Sequence, residues 1–465
     1  MLINGSQLRQ ARENAKLAQA RLAELTKIPQ HLLSGFELEK IDLPKEQIDK
    51  ILEVLSDLSR HSDVVHRKKR YRTHTFERRP QDSMRAALAS KSAGNDDYLN
   101  ELRGLSIEAK KGFTGVSLFA GCGGLSLGFR SAGCDIKGFV EIDDGLARIY
   151  SENFPGVKKI GTDISTIGSE QIKEFAAANP PIDVIIGGPP CQGFSLSGKR
   201  DIHDPRNYLF QEYMRFIDIL RPKVAIIENV RLLTSMKSKT GGLVRDEIIS
   251  DFATHGYEAQ IYEVNACDYG VPQHRERVFF VAVRSDVGAH PSFPNKTFGS
   301  TSDLFSQQKR IRTFADACSD LPYIESGESS NDPLHCAVSH PDHVIEWLWN
   351  VPQGASAHDN EDPTLRPPSG YNTTYKRQVW DEPAATVQTT FGMISGCRNV
   401  HPIATRSLTI REASRLQSFP DSYRFIGTQG VIRTGIGNAV PPLLAKAIAD
   451  HMRTRVLNFV EVPSF

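Results

Sequence analysis

Val184-Ile185-Ile186-Gly187-Gly188-Pro189-Pro190-Cys191-Gln192-Gly193-Phe194-Ser195 joins an apolar, β-branched run to a loop with little conformational freedom. The run reads as a short buried strand. Two glycines and two prolines stop it and fix the loop that follows. Cys191 then stands at the mouth of a strand, placed like a nucleophile. Most free cysteines are small buried hydrophobes, so this stretch alone leaves both readings open and its neighbours decide.

Upstream, Val116-Ser117-Leu118-Phe119-Ala120-Gly121-Cys122-Gly123-Gly124-Leu125 reads as a strand, a glycine-rich turn and a helix start. Glycines let a ligand approach the backbone, and a helix N-terminus favours a negative group. Glu141, at the end of a second apolar run, is spaced from Gly121 like the acid that binds ribose hydroxyls in nucleotide-binding α/β folds. A third run, Val224-Ala225-Ile226-Ile227, ends in Glu228-Asn229. A fourth, Val278-Phe279-Phe280-Val281-Ala282-Val283, follows Gln273-His274-Arg275-Glu276-Arg277. Taken singly, Glu228 and these arginines read equally well as solvated strand ends. Together, each run carries a functional group at one end, and ligands of open parallel sheets bind beyond the strand ends, at the topological switch point. The expected class is α/β, with a doubly wound, mostly parallel sheet.

At this point the chain resembles the DNA (cytosine-5)-methyltransferases, over residues 113 to about 453 and in the usual motif order. The segments carrying the resemblance include Phe119-Ala120-Gly121-Cys122-Gly123-Gly124, Asp163-Ile164, Pro189-Pro190-Cys191-Gln192, Asp204-Pro205-Arg206-Asn207-Tyr208-Leu209-Phe210 and Glu228-Asn229-Val230. Gln273-His274-Arg275-Glu276-Arg277, the block from Arg406 to Pro420, and Gly437-Asn438-Ala439-Val440-Pro441-Pro442 complete it. The resemblance implies a Rossmann-like, S-adenosylmethionine-dependent fold, S-adenosylhomocysteine as product, and no metal. It implies cofactor contacts at Phe119, Gly121, Cys122, Gly123, Gly124, Leu125, Glu141, Ile142, Asp163, Ile164, Pro189, Leu209, Asn438 and Ala439. It implies catalytic roles for Cys191, Glu228, Arg275 and Arg277. The Cys191 thiolate would add to carbon 6 of cytosine, Glu228 would hydrogen-bond nitrogen 3 and the exocyclic amine, and Arg277 would bind oxygen 2. The target base would be flipped out of the duplex. Three departures bear on cofactor affinity: Ser117 where many members have Asp, Ile142 where an aromatic often stands, and Gly435 where Gln is common.

The 465 residues allow two or three domains, and 39% hydrophobic with 24% charged residues is a globular composition. No apolar run of membrane-spanning length and no secretory signal is seen. Seven dispersed cysteines suggest reduced thiols in a bacterial cytosol or nucleoid, and none has zinc-site spacing. The net charge of +1 means that DNA binding must use a local basic face.

Residues 1–65 have a helical periodicity of their own. Helix, turn and helix follow one another through Gln19-Ala20-Arg21-Leu22-Ala23, Lys27-Ile28-Pro29 and Gln30-His31-Leu32-Leu33-Ser34-Gly35-Phe36-Glu37. This segment resembles repressor-type helix-turn-helix domains, which implies that Gln30, His31 and Ser34 enter a major groove. The plain alternative is a helical interaction or dimerisation domain. Residues 66–110 read as a basic and polar linker: the run 67–72 is suited to phosphate contact, and a partial helix is expected around 84–88. A catalytic domain is expected over 111–285, a target-recognition domain over 286–404, and C-terminal motifs returning to the catalytic domain over 405–465, with a last helix near 442–453. Further DNA-facing candidates are Ser195 and Ser197 beyond the cysteine, and Arg366, Tyr371, Asn372, Lys376 and Arg377 in the recognition region.

The expected function is methylation of carbon 5 of cytosine at a specific duplex sequence, as the modification enzyme of a restriction–modification system. A monomer suffices for catalysis, and dimers would form through the N-terminal domain. The alternatives are a transcriptional regulator acting on operator DNA upstream of its own or a partner nuclease's gene, and an RNA cytosine methyltransferase.

Overall fold

The computed structural model describes residues 4–14, 17, 19–60, 89–105, 112–190, 209–237, 242–299 and 307–458. Cys191, Ser195, Ser197, the basic run 67–72 and the helix expected around 84–88 lie outside the described residues. The chain forms two compact units, residues 1–82 and 83–465.

The second unit is organised by seven strands: β1 (Thr114–Leu118), β2 (Asp135–Val140), β3 (Lys158–Gly161), β4 (Val184–Gly187), β5 (Val224–Val230), β6 (Tyr257–Asn265) and β7 (Glu276–Arg284). They lie in the order β3-β2-β1-β4-β5-β7-β6. The first five are parallel, and β7 runs antiparallel to β5 and β6. The expected mostly parallel α/β sheet is therefore what forms. Successive residues of a strand face opposite sides. Val184 and Ile186 accordingly enter one core cluster, with Phe139, Ile226 and Phe279, while Ile185 enters the other, with Val116, Leu118, Ala225 and Phe280. Burial on both faces is why β4 is a continuous apolar run rather than an alternating one. The chain leaves β1 in one direction and returns through β4 on its other side, so the switch point lies between them.

Two helices pack together beside the cavity, and the first contributes Gly124 and Leu125 to its lining. α6 (Gly124–Ser131) follows β1, and the last α-helix, α15 (Pro442–His451), packs along it. A Cβ at Gly128 would lie 2.3 Å from the Ala445 Cβ, so only glycine allows this approach. The α-helical part ends two residues before the expected boundary and continues as a wider turn, Met452–Val456.

The expected linker needs correction. Residues 95–103 form a helix, α5 (Asn95–Arg103), whose Tyr98, Leu99 and Leu102 are buried in the larger core cluster, with Leu105 just beyond it. Its polar composition hides this. Asp96 and Asp97 sit in the first turn, where the helix dipole favours acids, and the apolar residues form one narrow stripe. Residues 344–400 hold a small core of their own: α12 (Asp342–Trp349) contributes Val344 and Leu348, joined by Val351, Ala357, Ile394 and Val400.

The first unit holds α1 (Gly5–Asn14), α2 (Gln19–Thr26), α3 (Gln30–Glu37) and α4 (Lys45–Arg60) around Leu8, Leu22, Leu33, Phe36, Ile51 and Leu55. Arg12 donates to both oxygens of Glu37, at 2.6 and 2.8 Å, and Gln19 donates to the same carboxylate at 3.0 Å. Among the described residues no helix is long and apolar enough to cross a membrane.

Candidate active site

A cavity of about 570 Å³ opens at the C-terminal ends of β1, β2, β4 and β5. One end is built by the turn after β1. There the Gly121 amide donates to Glu141 Oε2 at 2.7 Å, and the Asp143 amide donates to Oε1 at 2.9 Å. Burial raises the Glu141 carboxyl above the usual range, and these two amides oppose the shift. Gly121 has φ +56, and a Cβ there would meet nothing within 4 Å. The backbone is thus bare where Glu141 lines the space. Asp163 caps the short turn Ile164–Thr166 through the Ser165 amide, and both Asp163 and Ile164 line the wall.

The other end holds Glu228 and Arg277. Arg277 Nε lies 2.9 Å from Glu228 Oε1, with both side chains mostly buried. Register explains the pair. Glu228 on β5 stands opposite Phe279 on β7, so Arg277, two residues away, is its diagonal neighbour on the same face. Gly188 leaves room for the carboxylate, since a Cβ there would sit 3.0 Å from Glu228 Oε2. Asn229 donates to the Pro189 carbonyl at 3.0 Å, which ties the end of β5 to the proline loop. Pro189 and Pro190 line the cavity, and Cys191 is the next residue in sequence.

Most of the expected cofactor residues converge here: Phe119, Gly121, Cys122, Gly124, Leu125, Glu141, Ile142, Asp163, Ile164, Pro189, Leu209, Asn438 and Ala439 all line the cavity. Gly123 does not. Its φ of +93 and the nearby Phe154, Tyr150 and Tyr423 make it a packing glycine. Cys122 lines the wall as an inert thiol, which burial pushes up to about 12. Arg275 also stands apart from the catalytic set. It is fully buried, and its guanidinium donates to the carbonyls of Val387 and Gly437.

A family model for C-5 cytosine-specific DNA methylases matches residues 113–454. The chain belongs to that family. The methylase is 35% identical over 379 residues to the Type II methyltransferase M.DdeI of Desulfomicrobium norvegicum, covering 72% of this chain and 88% of the relative. It is 37% identical over 342 residues to M1.HphI of Haemophilus parahaemolyticus, covering 72% and 86%. A solved structure described as a DNA modification methyltransferase encoded within an E. coli prophage aligns with a TM-score of 0.57 at 28% identity, over 74% of this chain and 99% of that one. Family membership makes the methylase S-adenosylmethionine-dependent and an enzyme of DNA.

The departures from the family pattern have local reasons in this methylase. Ser117 is buried and accepts from Ser126 at 3.0 Å, which in turn accepts from Tyr150. Gly435 sits so close to Cys122 that a Cβ would come within 3.0 Å of that side chain. Ile142 is 66% exposed at the cavity rim. Thr162, Leu146, Val230 and Val440 also line the cavity. Val230 and Val440 belong to motifs read from the sequence but were not singled out as contacts, and Leu146 and Thr162 lie outside the motifs and join the site only through the fold.

Of the DNA-facing candidates, Tyr371 is 80% exposed, Arg366 and Asn372 are exposed, and Lys376 is half-buried. Arg377 corrects the expectation. Its side chain is buried, and it donates to the carbonyls of His401, Ile403, Ala404 and Leu348, so it fastens these segments to one another. In the first unit Gln30 and His31 are exposed at the start of α3, and Ser34 is half-buried.

Beside Arg377 lies a buried pair, Arg406 and Glu412, at 2.7 Å. Two neutral histidines adjoin it. His340 Nε2 accepts from the Ser407 amide at 3.1 Å, and His401 Nδ1 accepts from the Ile403 and Ala404 amides. Burial and Arg406 lower both imidazoles, His340 to about 4. The unfolded chain would take up these protons near pH 6.5. Stability is therefore full above that value and declines as pH falls from 6.5 towards 4, by about 3 kcal/mol for His340 alone. Denaturant unfolding at pH 7.5, 6 and 5 should follow this slope, and His340→Gln should flatten it. A pH-independent wild-type stability over this range would refute the assignment.

Proposed function

We propose that the chain is the modification enzyme of a restriction–modification system, methylating carbon 5 of a flipped cytosine within a specific duplex sequence. The observation that carries this reading is the Glu228–Arg277 pair at one end of a cavity whose other end is the Gly121–Glu141 turn. The relatives' designation as Type II methyltransferases supports the biological setting.

The residues present fit S-adenosylmethionine: a bare glycine backbone, an anchored carboxylate for ribose hydroxyls, and an apolar wall from Phe119, Ile142 and Ile164. Bound there, it supplies an electrophilic methyl group. Cys191 acts as the thiolate that adds to carbon 6 of the cytosine, making carbon 5 nucleophilic. Glu228 hydrogen-bonds nitrogen 3 and the exocyclic amine. Arg277 holds Glu228 in place and stabilises charge that develops on oxygen 2. After methylation a base removes the carbon-5 proton, the carbon 5–carbon 6 double bond reforms, and the thiolate leaves. None of these groups can reach a stacked base, so the cytosine must leave the helix.

Incubation with labelled cofactor and either plasmid or transfer RNA tests the substrate class, and mapping methylated positions on the plasmid gives the recognition sequence. Label in RNA alone would overturn the reading. Glu141→Ala is expected to weaken cofactor binding by about 1.5–3 kcal/mol, the worth of a charged hydrogen bond. Unchanged affinity by calorimetry would remove Glu141 from the cofactor site.

A second role, transcriptional regulation, is favoured by the first unit, where the Arg12–Glu37–Gln19 cluster fixes α3 while Gln30 and His31 stay exposed at its start. Residues 1–82 alone are expected to fold and to protect a two-fold symmetric site, with half-sites about one helical turn apart. The absence of a footprint upstream of the gene, with expression unchanged by truncation, would leave the unit as an accessory or dimerisation domain.

A further inference from the structure

Arg275 is 0% exposed. No carboxylate pairs with it among the described residues, and its Nε has no hydrogen-bond partner. A buried guanidinium with no carboxylate in contact is costly; Glu228 opposes that cost from a distance and Arg277 adds to it. Its contacts join three parts of the chain. Nη1 donates to Val387 O at 3.2 Å, in the recognition region, and Nη2 donates to Gly437 O at 2.9 Å, at the end of α14 (Gln429–Asn438). Two residues further along the chain, Arg277 pairs with Glu228.

Neighbouring bonds repeat the pattern. Segment 384–387 lies alongside 272–275: His274 N donates to Ala384 O at 2.7 Å, and Thr386 Oγ1 donates to His274 O at 2.6 Å. Gln273, also fully buried, accepts from Val387 N at 3.0 Å and donates to Gln417 Oε1 at 2.7 Å. Gln417 in turn donates to the carbonyls of Ile436 and Ala439. A Cβ on Gly437 would lie 2.4 Å from Thr389 N, so α14 and the recognition segment touch backbone to backbone. Asn438 and Ala439 line the cofactor end of the cavity.

We propose that Arg275 is a positioning residue that holds the recognition segment, the cofactor wall and Arg277 in one register, so that binding of target DNA and binding of cofactor reinforce each other. The proposal rests on the functional reading above, together with the expectations that residues 286–404 form the target-recognition domain and that Asn438 and Ala439 touch the cofactor. The contribution of the guanidinium is geometric: one planar group spans two carbonyls from separate segments. A lysine ammonium reaches one of them and leaves the other unpaired.

The experiment measures S-adenosylhomocysteine affinity by calorimetry with the full chain, alone and saturated with a duplex carrying the mapped target sequence. Linkage requires the same ratio for the reverse order of addition. The unaltered protein is expected to show tightening of about fivefold or more. Arg275→Lys and Arg275→Met should bring the ratio below about twofold. Thr386→Val, which removes one peripheral bond of the same register, should reduce it partially, and it decides the matter if the Arg275 variants do not fold. Glu141→Ala is the control: affinity falls in both arms and the ratio stays. A ratio near one in the unaltered protein, or an unchanged ratio in the folded variants, overturns the proposal. If the unaltered protein methylates no DNA, the functional reading falls and takes the proposal with it. If methylation is normal and only the ratio is unmoved, the proposal falls alone.

Discussion

Cys191→Ser is expected to abolish methyl transfer, by on the order of 10⁴-fold or more as for other nucleophile deletions, while cofactor and DNA affinity change little. Serine is nearly the same size, and the groups lining the cavity around the site, Glu228 and Arg277 among them, do not depend on sulfur. What is lost is a nucleophile able to ionise near neutral pH. The six other cysteines cannot substitute. Cys122, Cys134, Cys267 and Cys318 are buried, with thiols that burial pushes up, and Cys336 and Cys397 do not line the cavity. DNA containing 5-fluorocytosine at the target should trap the unaltered protein covalently, because fluorine cannot leave as the proton does. A trapped serine variant would sink the assignment.

The second large effect concerns α5. Removing residues 1–82 takes away one compact unit and no residue of the larger core, whose first member is Tyr98. Methylation should remain measurable. Extending the deletion through residue 105 also strips Tyr98, Leu99, Leu102 and Leu105 from that core. It further removes the hydroxyl that donates to Arg415 O, the ring under the Arg312 guanidinium, and the Asn95 amide bonded to Asp320. Tyr98→Ala alone should cost about 3–5 kcal/mol, a large part of a typical domain's stability. The longer deletion should fail to fold at assay temperature. Equal melting temperatures for the two truncations would refute this account.

What the sequence disclosed follows from how locally each feature is encoded. Strand and site coincide in short runs: Val184–Gly187 and the prolines after it, or Val224–Val230 with Glu228 near its end. The apolar run sets the strand, the punctuation ends it, and the group at the end faces the switch point. The burial of Arg275, expected to be catalytic, and of Arg377, expected to face DNA, was not legible for the opposite reason. Both donate to carbonyls well removed in the chain, at separations of 112 and 162 residues for Arg275. No window of sequence contains such partners. Helix α5 was hidden by composition, because a polar helix with one apolar stripe looks like a linker until the core that receives the stripe is known. The packing around Gly123 was not legible either, because glycine serves turns, ligands and packing alike, and the rings of Phe154, Tyr150 and Tyr423 beside it are distant in sequence.

The lining of the cavity by residues between 435 and 440 fixes an order of events during synthesis. The helical unit is complete once residue 82 has emerged. The cofactor wall needs Gly435, Asn438, Ala439 and Val440. At elongation of about 5–20 residues per second these two moments are about 20–70 s apart. Throughout that interval the ribosome carries a chain whose helical unit can already fold but whose cofactor cavity does not yet exist. Whatever the first unit binds, it can therefore engage as a tethered, inactive precursor before the same chain acquires the means to methylate.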